Sequence, residues 1–283
     1  MCCGVGNLEV KHSNHRNIFM STLDQADIDV MRASKTCVAA TKFQYDYLND
    51  DIGDDGEVDY SLTNKVPIEL QEIIKEGKKK ILVLINPPYA EATSTENISS
   101  TEERKSKTGV AKTKMANQMS NYGYASRELF TQFLVRLKQE IPNATIAMFS
   151  KMKYVTSSNF EKFRSIWNAE FKSGFIVHSK SFDGLKGDFP IGFLIWKTNN
   201  EEKAKKLSFT EITVEVLNKN AEPIGEKTFY NLPKEIFLNS WLPRIKTNSI
   251  NIPLKNAIHP QTANRFYLTK NYYRKTSTYS TYN

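Results

Sequence analysis

The chain has 283 residues, enough for one domain with a substantial core and an appended segment. Its 40% apolar and 25% charged residues are the composition of a soluble globular protein, and no apolar run exceeds strand length, which excludes a membrane-spanning helix. A net charge of +8 predicts a polyanionic partner, while Cys2, Cys3 and Cys37 form neither a disulfide framework nor a metal pair and point to a reducing cytoplasm.

In chain order, residues 17–21 read as a short strand. Asp24 then either caps a helical segment through Arg32 or presents its carboxylate at the strand end. Residues 43–48 end in Asp46, Tyr47 and Leu48, by themselves an ordinary acidic turn. The acidic run that follows, from Asp50 to Asp59, lacks the spacing of a calcium loop and is expected to be solvated. The spacing of Leu70, Ile73 and Ile74 predicts a helix over 68–76, closed by Gly77.

Residues 81–85 are five consecutive apolar residues, the pattern of a strand buried on both faces. Asn86-Pro87-Pro88-Tyr89 stops it, because proline has no N–H for the ladder and biases its neighbour to extended backbone. The result is an amide, carbonyls and an aromatic ring at the carboxyl edge of a sheet, where open α/β folds place their ligands.

The long loop after Tyr89 gathers Arg104, Lys105, Lys107, Lys112 and Lys114, either a segment that orders on a partner or a solvated loop. A helix is expected over 127–140 with Ser126 as its cap, then a strand over 144–149. Ser158-x-x-Glu161 reads as a capping box opening a third helix that carries Phe160, Phe163, Trp167 and Phe171 toward the core. Two apolar strands, 174–178 and 191–196, enclose a connection containing Phe182 and Phe189. After a polar linker, 207–217 and 226–232 suggest a β-hairpin turning at Pro223-Ile224-Gly225, followed by a Tyr-, Thr- and Lys-rich tail. This divides the chain into residues 1–197 and a β-rich segment, 198–283.

The chemistry open to the Asn86 turn follows from its atoms. An amine conjugated to a heteroaromatic ring is a poor nucleophile, since its lone pair is delocalised. Two acceptors, the Asn86 amide oxygen and the Pro87 carbonyl, would favour a more pyramidal, more nucleophilic nitrogen. Tyr89 could hold the flat ring by stacking, worth about 1–3 kcal/mol per base.

On these residues the chain resembles the adenine-specific DNA methyltransferases of restriction–modification systems, whose catalytic motif is Asn-Pro-Pro-Tyr. RNA methyltransferases and glutamine side-chain methyltransferases share that motif and remain alternatives. The resemblance implies a Rossmann-like, mostly parallel α/β methyltransferase sheet and S-adenosylmethionine as cofactor. It also implies transfer to the exocyclic nitrogen of an adenine flipped out of double-stranded DNA, since that atom is unreachable in the stack. By the same resemblance Asn86, Pro87, Pro88 and Tyr89 are catalytic, and Phe182, with Phe189 second, stacks on the opposite face of the base. Cys3, Gly4 and Gly6 belong to the cofactor loop, Asp24 meets the ribose, Asp46 meets the cofactor adenine, and Tyr47 or Leu48 packs on its ring. Family members carry a buried strand ending in an acidic residue and a proline before this loop, whereas here Met1 stands where the proline would be. A truncated chain, a noncatalytic DNA-binding remnant, and a partner supplying that strand and target recognition are the readings this leaves open.

Overall fold

A computed structural model describes residues 3–89, 91, 112–167, 169–182, 185, 187–198 and 211–231 of the chain. Strands β1 (Phe19–Thr22) and β2 (Thr41–Gln44) pair in parallel, with Phe19 opposite Thr41. Parallel strands need a crossover, and helix α1 (Gln25–Ala33) provides it, burying Ile28 and Met31 in one cluster with Met20 and Cys37.

Helix α2 (Ile68–Glu76) spans the range its apolar spacing predicts. It ends at Gly77, whose φ of 62° is left-handed and whose N–H reaches the Ile73 carbonyl at 3.3 Å. Strand β3 (Leu82–Ile85) follows and pairs in parallel with β4 (Thr145–Lys151). Between them lie α3 (Lys114–Gln118) and α4 (Leu129–Glu140).

After β4 come α5 (Lys153–Thr156), α6 (Glu161–Ile166), and the hairpin strands β5 (Ala169–His178) and β6 (Pro190–Thr198). β6 lies antiparallel between β4 and β5, and β7 (Glu211–Leu217) and β8 (Pro223–Tyr230) extend the sheet to the order β3-β4-β6-β5-β7-β8. The expected Rossmann-like α/β class with a β-rich C-terminal part is the one observed. Among the described strands pairing is parallel at β1–β2, β3–β4 and β5–β7 and antiparallel at β4–β6 and in the hairpins β5–β6 and β7–β8, so the sheet expected to be mostly parallel is mixed.

The aromatic residues of the central region pack as core. Trp167 and Trp196 lie edge to face at 5.3 Å, Phe163 stacks on Trp167 at 5.2 Å, and all three are buried. Each such side chain contributes about 1.5–3 kcal/mol on burial. The Trp167 indole N–H donates to the Leu134 carbonyl at 3.2 Å, and that of Trp196 to the Tyr154 hydroxyl at 2.9 Å, so no polar tip is stranded.

Several local expectations are corrected. The helix expected over 127–140 begins at Leu129 with Glu128 at its N-cap, while the Ser126 hydroxyl donates to the Gly123 carbonyl at 3.0 Å. The Ser158 segment opens as a 3-10 turn, Ser158–Phe160, and forms no side-chain cap to α6. Phe171 belongs to β5, not to that helix, and meets Trp196 at 5.3 Å from the sheet. The acidic run is not wholly solvated: Asp51 is 1% exposed and accepts from the Thr63 N–H at 2.9 Å and its hydroxyl at 2.8 Å. Pro223-Ile224-Gly225 lies inside β8; the turn is made at Asn218, whose Oδ1 accepts from the Asn220 and Glu222 N–H groups. Because β7 pairs with β5, the hairpin continues the main sheet.

By contact the chain divides into Met1–Leu232 and Pro233–Asn283, and the second unit lies outside the described residues. So do the expected linker, the basic residues Arg104, Lys105 and Lys107, and Asp183 and Gly184 of the β5–β6 connection. Among the described residues no helix is long and apolar enough to cross a membrane.

Candidate active site

β3 ends at Ile85, immediately before the Asn86 turn, but it is not buried on both faces as expected: Val83 and Ile85 are buried while Leu82 is exposed. Pro87 is buried, Pro88 exposed, and Asn86 and Tyr89 half-buried. The turn folds back on itself: the Tyr89 hydroxyl donates to the Asn86 amide oxygen at 2.9 Å. Burial pushes the Tyr89 hydroxyl above its ordinary range, so it is a neutral donor at any physiological pH.

Phe182 is delivered from the carboxyl end of β5, which lies at the same edge of the sheet as that of β3. It follows the 3-10 turn Ser179–Ser181 at the end of β5, with its N–H on the Ser179 carbonyl at 3.0 Å. Ser179 is buried and closes the base of the β5–β6 connection, bonding the Gly187 carbonyl at 2.7 Å through its hydroxyl and the Phe189 carbonyl at 2.9 Å through its N–H. Phe182 then meets Tyr89 at 6.5 Å between ring centroids and 81° between planes. Behind it, Phe149, Phe175 and Phe193 form a continuous aromatic layer, with Phe149 at 5.4 Å from Phe182. The structure therefore brings Asn86, Tyr89 and Phe182 together, with the two rings edge to face and not as parallel plates.

The second group of candidate residues gathers at the carboxyl ends of β1 and β2, on the separate two-stranded sheet. The Cys3 N–H reaches the Ser21 carbonyl at 3.1 Å, and the chain turns so that the Gly6 N–H meets the Cys3 carbonyl at 2.8 Å. Gly6 has φ +82° and is pressed against the helix and strand: a Cβ there would lie 2.8 Å from Met20 Cε and 2.9 Å from Thr36 Cγ2. A Cβ on Gly4, by contrast, meets nothing within 4 Å. Burial raises the Cys3 thiol to about 11, which keeps it neutral and unreactive.

Asp24 stands at the N-cap position of α1, exposed, and its side chain makes no cap bond. Asp46 closes its own turn, accepting from the Leu48 N–H at 3.2 Å and the Asn49 amide at 2.8 Å. Tyr47 and Leu48 turn into the core; the Tyr47 ring stacks on Phe133 at 5.6 Å and 7°.

Helix α4 serves both groups, through residues the sequence reading missed. Arg136 is fully buried and donates to the Tyr47 carbonyl at 2.5 Å, the Asp50 carbonyl at 2.6 Å and the Tyr45 hydroxyl at 2.6 Å. Glu140 accepts from the Tyr60 hydroxyl at 2.6 Å and from the Tyr47 hydroxyl. Its 3.7 Å separation from Arg136 Nε is an ion pair but too long for a hydrogen bond. At the other end of α4, Glu128 is fully buried and bonds Lys153, which also bonds Glu91 beyond the Tyr89 turn. The i, i+4 spacing of Arg136 and Glu140 was a signal in the sequence. Nothing in the sequence marked Lys151, Lys153 or Ser179.

The buried tyrosines set an alkaline limit on stability. Burial first, then the neighbouring Glu140 carboxylate, raises the Tyr47 and Tyr60 hydroxyls well above their ordinary value of 10.0; burial likewise raises Tyr45. Above about pH 10 the unfolded chain therefore releases protons that the folded chain retains. Folding stability should fall there, by about 1.4 kcal/mol per pH unit for each such group. Urea midpoints followed by circular dichroism between about pH 8 and 11 check this; a flat midpoint would contradict the burial of these rings.

Fold and site define the class: an α/β chain with a proline-locked amide and two converging rings at the end of a parallel strand. Neither a family model nor a curated protein matches the sequence. Among solved structures it is similar to the ATP-dependent Type ISP restriction-modification enzyme LlaBIII bound to DNA, at 9% identity and TM-score 0.38 over 70% of this chain and 14% of that one. It is similar to the M protein of the Type I restriction enzyme EcoKI, at 12% identity and TM-score 0.40 over 76% of this chain and 38% of that one. A DrdV–DNA complex aligns at 14% identity and TM-score 0.39, over 71% and 22% of the two chains. The chain thus spans well under half the length of these structures.

Proposed function

We propose that this chain is the catalytic part of an S-adenosylmethionine-dependent methyltransferase of a restriction–modification system in the cytoplasm. Its substrate is the exocyclic amine of an adenine flipped out of double-stranded DNA. The single observation that supports this reading is the convergence of Asn86, Tyr89 and Phe182 at the end of β3. The net charge of +8 suits the partner.

In this reading Asn86 Oδ1 and the Pro87 carbonyl accept the two N–H bonds of the amine. The Tyr89 hydroxyl now on Asn86 gives way to the substrate, one hydrogen bond exchanged for another at little net cost. Pro88 keeps the turn extended. Tyr89 stacks on one face of the base and Phe182 turns from its edge-on pose to cover the other. When bound, the cofactor supplies an electrophilic methyl group on a sulfonium. Gly4 leaves room for it, Gly6 lets the turn close onto Met20 and Thr36, the Cys3 thiol stays neutral, Asp24 takes the ribose hydroxyls and Asp46 the adenine amino group. Tyr47 supports the Asp46 turn from the core. As the amine nitrogen gains positive charge, the two oxygens facing it stabilise that charge, and the surplus proton passes to water.

Labelled cofactor offered with DNA, RNA and protein acceptors tests the proposal. The expected result is label on adenine in DNA alone. Label confined to a protein or RNA acceptor would overturn the substrate assignment, and no transfer despite DNA retention would favour a noncatalytic DNA-binding chain.

A further inference from the structure

Just beyond Tyr89 the chain is held by a charged cluster that the proposed chemistry does not use. Lys153, at the start of α5, places its ammonium 2.8 Å from a Glu91 oxygen and 2.8 Å from a Glu128 oxygen. Glu91 also accepts the Tyr124 hydroxyl and forms a short antiparallel bridge with Glu128 at the head of α4. Tyr124 is itself fixed between the Arg127 guanidinium, 5.5 Å from its ring centre, and the edge of Phe160 at 5.5 Å. Two residues earlier, at the end of β4, Lys151 donates to the Tyr89 carbonyl at 3.3 Å. The chain is therefore held on either side of residue 90, through the Tyr89 carbonyl and the Glu91 carboxylate, by two lysines two residues apart at and just after the carboxyl end of β4.

We propose that Lys153, shared between Glu91 and Glu128, is a positioning latch that sets the orientation of Tyr89 and so the stacking platform for the substrate ring. This rests on the reading of Asn86–Tyr89 as a base-binding turn. β3 and β4 run parallel, so their carboxyl ends lie side by side. A tether from β4 is the shortest way to fix a turn that leaves β3 and has no ladder of its own, since Pro87 and Pro88 cannot donate. The charges explain why all three groups are required. Glu128 is fully buried, and its second oxygen has no hydrogen-bond partner. Burial raises its carboxyl against the pull of the Lys153 bond. For Glu91 the bonds from Lys153 and Tyr124 outweigh burial and hold the carboxyl low, so Glu91 is the firmly ionised partner. For the lysine, burial is likewise outweighed and the ammonium is retained. A shared cation between a core carboxylate and a turn carboxylate transmits the rigidity of α4 to the turn.

Lys153→Met would strand the buried Glu128, a fault able to unfold the chain by itself, so Glu91→Ala is the informative variant: it removes the tether and leaves Lys153 neutralised by Glu128. A 3-fluorotyrosine placed at position 89 reads the latch without any need for activity. The expected result is one narrow fluorine resonance in the parent chain, and a shifted or exchange-broadened one in Glu91→Ala. With a labelled DNA acceptor, kcat should fall about 10–100-fold while KM for the cofactor stays within about twofold, the signature of a mis-set substrate platform. Glu91→Asp should recover part of both signals. An unchanged Tyr89 resonance in Glu91→Ala overturns the latch whatever the activity. A perturbed resonance in a chain that methylates nothing sustains the latch and sinks the methyltransferase reading instead.

Discussion

Asn86→Ala is expected to lower adenine methylation by about a thousandfold or more while leaving the urea unfolding midpoint nearly where it was. The two halves of that expectation rest on different atoms. Structurally, Asn86 sits half-buried at a strand end and gives up one bond, from the Tyr89 hydroxyl at 2.9 Å, worth about 1 kcal/mol. The turn itself is held by Pro87, Pro88 and the Lys151 bond to the Tyr89 carbonyl, none of which the variant touches. Chemically, on the proposed reading, the amide oxygen is one of only two acceptors aimed at the reacting amine. Its loss removes polarity where positive charge develops. Near-normal methylation by the variant would remove Asn86 from the reaction. A collapsed unfolding midpoint would show instead that the amide is a structural pin.

The second large effect is on stability and lies away from the reacting atoms. Arg136→Met is expected to cost about 3–5 kcal/mol in urea unfolding. A methionine fills the space but leaves the Tyr47 and Asp50 carbonyls and the Tyr45 hydroxyl without their donor, and Glu140 without its countercharge. Arg136→Lys should rescue little, since one ammonium cannot reproduce a planar fork that reaches three acceptors. Adding Glu140→Gln to Arg136→Met should recover part of the loss by removing the uncompensated charge, a coupling that a double-mutant cycle measures. A loss below about 1 kcal/mol would mean that water reaches this network. On the proposed reading, in which Asp46 meets the cofactor, the same variant should also weaken S-adenosylmethionine binding, because Arg136 clamps the segment that carries Asp46; calorimetry measures this.

The elements that were legible in the sequence are those governed by local rules. α2 has the predicted bounds because its apolar spacing and the left-handed Gly77 need no distant partner. β3 stops at Ile85, just before Asn86, because two prolines remove the next ladder donors. The chain order of the strands, and the pairing of 174–178 with 191–196 as a hairpin, were likewise readable. The errors fell where a local signal lost to a tertiary one. Phe171 continues the aromatic series of the third helix in sequence, yet strand pairing of β5 with β6 claims it. Ser158-x-x-Glu161 has capping-box spacing, but the first turn winds as a 3-10 segment and no cap bond forms. Asp51 looked like one of several surface acids, and only the approach of Thr63 from a later turn buries it.

By itself the sequence determined the proline-locked turn at the end of an apolar strand, the glycine turn near its start, and the class of fold that could carry both. Those features are short-range: they depend on missing N–H groups, on the absence of a Cβ, and on periods of two and of 3.6 residues. Only the tertiary structure decided which side chains meet. It set Phe182 against Tyr89 across the end of the sheet, turned Tyr47 inward onto Phe133, and gave α4 a buried arginine at one end and a buried glutamate at the other. The physical reason is that a lone charge or ring carries no periodic signature. Its partner is fixed by the packing of strands that lie far apart in the chain.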